Sequence, residues 1–250
     1  MNDLIGHFDR EADSYPVSFG TDFIQARKWA LIEAHAPVQG LAADIGAASG
    51  RHALELAVRR VTVVAVDPSA AMLERLRHQG QARGLENTPV PCVAALPELP
   101  FTDASFNLIY CFSTLLLLTP AQQERAITEM AQALRPGGIL IVDVAGARSL
   151  AIRYWRRHYR RLGFAGVFGQ RANDTQRMIT DNGLRIVSSE AHGVLSQALL
   201  FPGLEKVPGL VRLVRGTETR PGWDARVSKR LPGLAERWYM VSQKPEPGAG

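Results

Sequence analysis

Between Leu41 and Val144 the chain alternates short apolar runs with amphipathic stretches, and this rhythm constrains the fold more than any other feature. Leu41–Ile45, Val61–Val66, Pro89–Val93, Phe106–Phe112 and Ile139–Val144 read as strands. The run Val61–Val66 is nearly continuous in β-branched residues, as expected of a parallel strand buried on both faces. His52–Val58, Pro68–Gly84 and Ala121–Leu134 read as helices, with Met72, Leu73 and Leu76 on one side of the second and Ile127, Met130, Ala131 and Leu134 inward in the third. Pro136–Gly137–Gly138 stops that third helix. Strand and helix in alternation predict an α/β fold, a doubly wound and mostly parallel sheet covered on both faces.

The flanks differ from this core. Residues 1–36 predict a helical N-terminal segment with a loop at Ser14–Gly20, and 37–145 the ligand-binding core. Residues 146–183 form a basic helical segment, with helices at Ala147–Leu162 and Asp174–Asn182, followed by a strand at Leu184–Ser188. Residues 191–236, broken by Pro202, Pro208, Pro221 and Pro232, are an irregular insertion or cap, and 237–243 the last strand. The insertion is too short and broken for its own core, so the chain reads as one domain, 1–250. At 46% hydrophobic residues the core needs neither disulfide nor metal. Cys92 and Cys111 are far apart with no metal-ligand spacing, and the start of the chain lacks a secretory pattern. Leu115–Leu118 is too short to span a bilayer. A reducing, cytoplasmic location is expected.

The chemistry concentrates in Asp44-Ile-Gly46-Ala-Ala-Ser-Gly50, which follows a strand and opens a helix. Glycine lets a ligand approach the main chain, and the helix N-terminus offers unpaired N–H groups. Asp67 ends the next strand, 23 positions beyond Asp44, where a carboxylate can accept hydrogen bonds from a ribose diol. A pyrophosphate cradle needs G-x-G-x-x-G, but Ala48 replaces its middle glycine and Asp44 puts an acid where a pyrophosphate would be repelled. An adenosine-type ligand carrying a cation fits better.

Four segments, Ala43–Gly50, Val64–Leu73, Leu99–Ile109 and Leu134–Val142, resemble the ordered motifs of class I (Rossmann-like) S-adenosylmethionine-dependent methyltransferases. His7–Tyr15 resembles the N-terminal lid of the small-molecule branch that includes the ubiquinone/menaquinone-type enzymes. The resemblance implies a seven-stranded sheet with an antiparallel last strand and a helical cap, and S-adenosyl-L-methionine as cofactor. It implies that Gly46, Ala48 and Gly50 line the methionine and ribose, with Asp44 at the amino group and Asp67 at the ribose. It sets Met72, Ala95 and Leu96 along the adenine, and Cys111 or Phe112 at the sulfonium. Tyr15 matches a position near the cofactor. Two positions depart from the family: Ala95 stands where an acid often receives the adenine amino group, with Glu98 the nearest substitute, and Ser113–Leu118 carries leucines where relatives have a histidine.

Methyl transfer needs alignment, exclusion of water and, for a hydroxyl acceptor only, a general base. The catalytic candidates are His192, His7 and Tyr15; His158 also falls in the cap, and no metal ligands are expected. Seven arginines between Arg148 and Arg171, with no acid but with Tyr154, Trp155 and Tyr159 interleaved, suit a solvated face, an anionic substrate, a peripheral membrane contact or RNA. Nucleic acid is the least favoured, since no RNA-binding module is appended. The expected function is methyl transfer to a small-molecule acceptor, lipophilic or anionic. The alternatives are an RNA methyltransferase and a catalytically silent methyltransferase-like binding protein.

Overall fold

The structure is a computed structural model that describes residues 2–15, 23–217 and 219–248. Most of the expected loop at 14–20 lies outside those residues.

Seven strands make one sheet in the order β3-β2-β1-β4-β5-β7-β6. They are β1 (Leu41–Ile45), β2 (Thr62–Asp67), β3 (Val90–Val93), β4 (Phe106–Cys111), β5 (Leu134–Ala145), β6 (Arg185–His192) and β7 (Arg237–Gln243). Only β7 runs antiparallel to its neighbours, slotted between β5 and β6. The doubly wound sheet with an antiparallel last strand is as expected. Alternation along the strands sends Ala43, Ile45, Ile109, Leu140 and Val142 to one face, against Ile127 and Met130 of α5 (Pro120–Ala133) and Ile179 of α7 (Ala172–Asp181). Ala42, Val63, Leu108, Ile141 and Val241 go to the other face. There they meet α2 (Phe23–His35), α3 (Arg51–Val58) and α4 (Ala70–Ala82) through Leu31, Ile32, Leu56, Leu73 and Leu76.

Local chemistry sets several helix starts. Thr119 and Gln122 form a reciprocal capping box with Pro120 at the first helical position, so α5 begins one residue before the expected Ala121. Ser149 Oγ accepts from Ile152 N at 3.1 Å, so α6 (Leu150–Arg161) starts three residues later than expected. Two strands are longer than their apolar cores predict. β5 extends back to Leu134, and β6 runs on to His192 because β7 pairs with it throughout, a bulge between Ile186 and Ser188 absorbing the register shift.

The insertion therefore begins after His192, and it is more ordered than its prolines suggest. It holds α8 (Leu210–Arg215), α9 (Trp223–Arg230) and three 3-10 turns. The carboxylate of Asp224, only 2% exposed, accepts from Gly193 N at 2.8 Å and Ser196 N at 2.9 Å, and also from Leu195 N. Gln197 accepts from Leu150 and Ala151 and donates to Gly193 O and Leu234 O, tying α6 and both ends of the insertion to one amide. The insertion, α6 and α1 (Asn2–Glu11) stand around the carboxyl ends of β1, β2 and β4, where doubly wound folds bind ligands.

Candidate functional site

Asp67 organises the loop between β1 and α3. Its two oxygens accept from Ala48 N at 2.8 Å and Ser69 N at 2.9 Å, joining that loop to the cap of α4. Burial pushes its carboxyl above the usual range, and the two N–H donors hold it back. Gly46 (φ +76°) has no room for a side chain, since a Cβ there would stand 1.9 Å from Thr114 Oγ1. Gly50 (φ +81°) is equally tight, its Cβ meeting Leu76 Cδ1 at 2.3 Å. The first glycine faces the cleft. The second packs against α4 and lies outside the cleft lining, so its role is conformational rather than ligand contact.

Gly46 separates two hollows. One is an apolar pocket walled by Val66, Pro68, Ala94, Ala95, Leu96, Leu117 and Leu118, and roofed by Leu4, Ile5 and Phe8 of α1. Ala95 and Leu96 thus line it as expected, and leucines of Ser113–Leu118 make part of its wall. Glu98 is turned outward to Arg125 at 2.7 Å and offers no acid to this pocket. The other hollow, of about 400 Å³, is polar, with Tyr15, Gln25, Lys28, Asp44, Ala48, Arg51, His52, Phe112 and Ser113 around it. Asp44 is buried here beside the Tyr110 hydroxyl, and burial pushes its carboxyl up to about 8, with Tyr110 and the Ala53 N–H opposing the shift.

Gln25, Lys28 and Ser113 also line a third hollow, of about 190 Å³, with His192, Arg215, Glu236, Arg237 and Tyr239. The second and third hollows therefore share a wall across the ends of β1, β4 and β7, and together are called the cleft below. At its middle, Lys28 Nζ donates to Ser113 Oγ at 3.2 Å and lies 3.7 Å from Asp143 Oδ2. Burial lowers the pKa of Lys28, with Asp143 opposing the shift. His192 Nε2 lies 3.3 Å from Glu190 Oε2, and Arg27 binds the same carboxylate.

With this geometry in place, residues 42–138 match the family model described as a methyltransferase domain. This segment is a methyltransferase domain. The chain is 31% identical over 114 residues to a carboxy-S-adenosyl-L-methionine synthase of Yersinia enterocolitica, covering 45% of this chain and 42% of that protein. It is 34% identical over 136 residues to an uncharacterised methyltransferase of Mycobacterium bovis, covering 54% and 48%. The chain thus spans under half the length of these relatives. Among solved structures, the [4+2]-cyclase SpnF superposes with a TM-score of 0.66 at 17% identity, over 98% of this chain and 93% of that one. Magnesium protoporphyrin IX methyltransferase from Synechocystis, with bound SAH, gives 0.58 at 17% identity over 96% and 84%. A geranyl diphosphate methyltransferase gives 0.64 at 15% identity over 88% and 79%. At such identities these structures attest the fold.

Within the methyltransferase domain, the structure brings Asp44, Gly46, Ala48, Ala95 and Leu96 to the two hollows, with Tyr15 reaching in from the N-terminal segment. Asp67 stands between them, bonded to Ala48 and next to Pro68. Besides Asp67, four expected residues lie outside the lining of the hollows: Gly50, as above, and three more. Met72 is buried in α4 behind the pocket wall, at 1% exposure. Cys111 points into the α5-side core, because strand alternation sends it to that face, and Phe112, one residue on, lines the cleft instead. His7 packs at a tilt against Phe164 and approaches Glu11 at 3.6 Å, outside the lining of all three hollows. His192 and Tyr15 remain in the cleft. Lys28, Arg51 and Arg237 were absent from the sequence-derived set. Lys28 had a signal: it falls at i−3 and i−4 from Leu31 and Ile32, a charge on the inward stripe of α2.

Proposed function

We propose that this chain transfers the methyl group of S-adenosylmethionine to a small organic acceptor held beside His192. The observation that carries this reading is that the Asp44 hollow and the His192 hollow lie side by side at the strand ends, sharing the wall of Gln25, Lys28 and Ser113. The donor's chemistry fits the first half. The buried Asp44 carboxyl suits an ammonium group, and Arg51 and Lys28 in the same wall suit the accompanying carboxylate. Each Asp67 oxygen keeps a lone pair beyond its backbone bond, enough for a ribose diol. The apolar pocket under α1 suits an adenine ring.

When bound, the donor supplies a methyl carbon already activated by its sulfonium, so the protein's task is alignment and exclusion of water. Phe112 and Ser113 stand where donor and acceptor halves meet. Loss of an acceptor proton, where the nucleophile is a hydroxyl, falls to His192, whose Nδ1 makes no hydrogen bond and whose Nε2 is held by Glu190. An RNA acceptor finds less support. Arg153, Arg156, Arg157, Arg160 and Arg161 of α6 line an open groove on the outer surface, whereas Trp155 and Tyr159 pack inward.

Calorimetry with S-adenosylmethionine and S-adenosylhomocysteine tests the donor site: both bind the wild type, and Asp67→Ala abolishes binding. Absence of binding to the folded wild type refutes the proposal. Incubation with labelled methyl donor and either an organic extract or total RNA then reads the acceptor, with label expected in the organic extract. Donor binding without label in either fraction favours the catalytically silent alternative, and label in RNA alone the nucleic-acid one.

A further inference from the structure

Arg237 and Trp238 are neighbours on β7 and turn to opposite faces of the sheet. Arg237 goes into the cleft, where it approaches Asp143 Oδ2 at 3.6 Å. Trp238 packs on the α5 side instead and lines a separate hollow of about 510 Å³, which shares no lining residue with the cleft. Its other walls are the chain leaving β5 at 146–148, the start of α7, and residues 232–233 of the insertion.

The hollow is rich in donors and poor in acceptors. Arg148, Arg171 and Arg177 line it, and Asp174 is the one acid among its described lining residues. None of the three guanidiniums has an ion-pair or hydrogen-bond partner among the described residues. Arg171 is also the N-cap of α7, a helix of ten residues. A guanidinium carries no acceptor, so it cannot close the first turn as a serine or aspartate would, and no side chain caps this helix. Ala172 N and Asn173 N are left without an acceptor among the described residues, at the helix end that carries partial positive charge. Like charges gathered at that end repel the dipole unless an anion joins them.

Gln170 gives independent support. It lines the same hollow and is only 9% exposed. Its main chain is fully used, with N donating to Ala145 O at 2.8 Å and O accepting from Ala147 N at 3.0 Å. Its side-chain Nε2 is buried and has no acceptor. A buried donor left unpaired is costly, so its retention beside three unpaired arginines calls for an acceptor from outside the chain.

We propose that this hollow is a binding site for a phosphate group, held by Arg148, Arg171 and Arg177, the first N–H groups of α7 and the Gln170 amide. Three arginines against Asp174 leave two positive charges, which match a phosphate dianion better than a carboxylate. The phosphate is either free or borne by an organic molecule whose remainder lies on Trp238 and Pro232, the apolar part of the wall. The arginine groove of α6 is a different surface, lined only by side chains and without a helix N-terminus or an orphaned amide.

Calorimetric titration at physiological salt with inorganic phosphate, phenyl phosphate and benzoate tests this. At least one phosphate probe is expected to bind one site per chain with a Kd of about 1 mM or below, and tenfold or more tightly than benzoate. Arg171→Gln weakens that binding tenfold or more, whereas Arg157→Gln in the α6 groove leaves it within twofold. If Arg171→Gln loses its cooperative thermal transition, Arg148→Gln is read in its place. Inorganic phosphate within threefold of phenyl phosphate identifies the free anion as ligand, and a tenfold advantage for phenyl phosphate a phosphorylated molecule; both outcomes support the site. Absence of saturable phosphate binding overturns it. So does benzoate binding as tightly, binding that survives Arg171→Gln and Arg148→Gln alike, or an equal loss in Arg157→Gln. None of these titrations uses the methyl donor, so their failure leaves the methyltransfer reading standing.

Discussion

Burial of Asp44 predicts that donor binding, if it takes place at Asp44 as proposed, releases a proton. Its carboxyl is pushed up to about 8 in the free protein, so at pH 7 it is about nine-tenths protonated. An ammonium against this carboxyl favours the ionised form and drives the pKa down. If the bound-state pKa falls to about 5, binding at pH 7 releases about 0.9 proton. The apparent dissociation constant then improves about tenfold per pH unit from pH 6 to 7 and flattens above pH 8. The sign follows from linkage, since the free form binds the proton and the complex does not. Calorimetry of S-adenosylhomocysteine binding at pH 7, in buffers of different ionisation enthalpy, reads the proton count as a slope. Asp44→Asn should abolish the release and flatten the pH profile, besides weakening binding. Release near zero in the wild type, or equal release from Asp44→Asn, refutes the pairing of Asp44 with the amino group.

Other expectations concern the frame around the site. Gly50→Ala forces a Cβ to 2.3 Å from Leu76 Cδ1 at a positive φ, and should cost about 2–4 kcal/mol in denaturant unfolding. Asp224→Ala strands the N–H groups of Gly193, Leu195 and Ser196, an expected loss of about 3 kcal/mol, and should raise protease sensitivity around 193–234. His192 and Arg27 hold the Glu190 carboxyl down at about 2. The stability this gives is present above the unfolded value near 4.5 and is lost as pH falls from there towards 2. Discounted for partial exposure, it is about 1–2 kcal/mol, so Glu190→Gln should flatten the acid limb of a stability curve. No helix among the described residues is long and apolar enough to cross a membrane. The outward arginines of α6, with exposed Leu150, Tyr154 and Leu162, should still bring the protein down with phosphatidylserine vesicles at low salt. Arg153→Glu combined with Arg157→Glu should abolish that, and equal sedimentation with phosphatidylcholine alone would contradict it.

The sheet was legible because each core strand is an apolar run closed by turn residues, and the order of the runs leaves few topologies. Arg237–Gln243 was read to the residue, since it alternates without interruption. The end of β6 was not, because Ser188–His192 has no apolar stripe and is held by its pairing with β7. The turns of the insertion were hidden for a related reason: Asp224 and Gln197 organise them across dozens of residues. In the site, the glycines and acids of the loop were visible as a local pattern. Spacing could not tell which of Cys111 and Phe112 faces the cleft, because a shift of one residue in a strand reverses the face. The Lys28–Asp143–Arg237 cluster joins α2, β5 and β7, and no local pattern announces it. The arginine run of α6 drew attention as an acceptor determinant, but the helix turns those charges and Tyr154 to the outer surface, and Trp155 and Tyr159 inward.

Helix α1 roofs the apolar pocket and is fastened to α4 at two points. Ser69 Oγ donates to Asp9, and Arg75 donates to the carbonyl of Ala12. Ser69 is also the residue whose N–H Asp67 accepts. The turn suited to the ribose is therefore the hinge post of the roof, while the His192 end of the cleft lies under different elements, α2 and the insertion. Donor and acceptor then have separate doors. With the nucleoside in the apolar pocket, as proposed, loosening the Ser69–Asp9 and Arg75–Ala12 contacts should shorten its residence time and leave acceptor affinity unchanged.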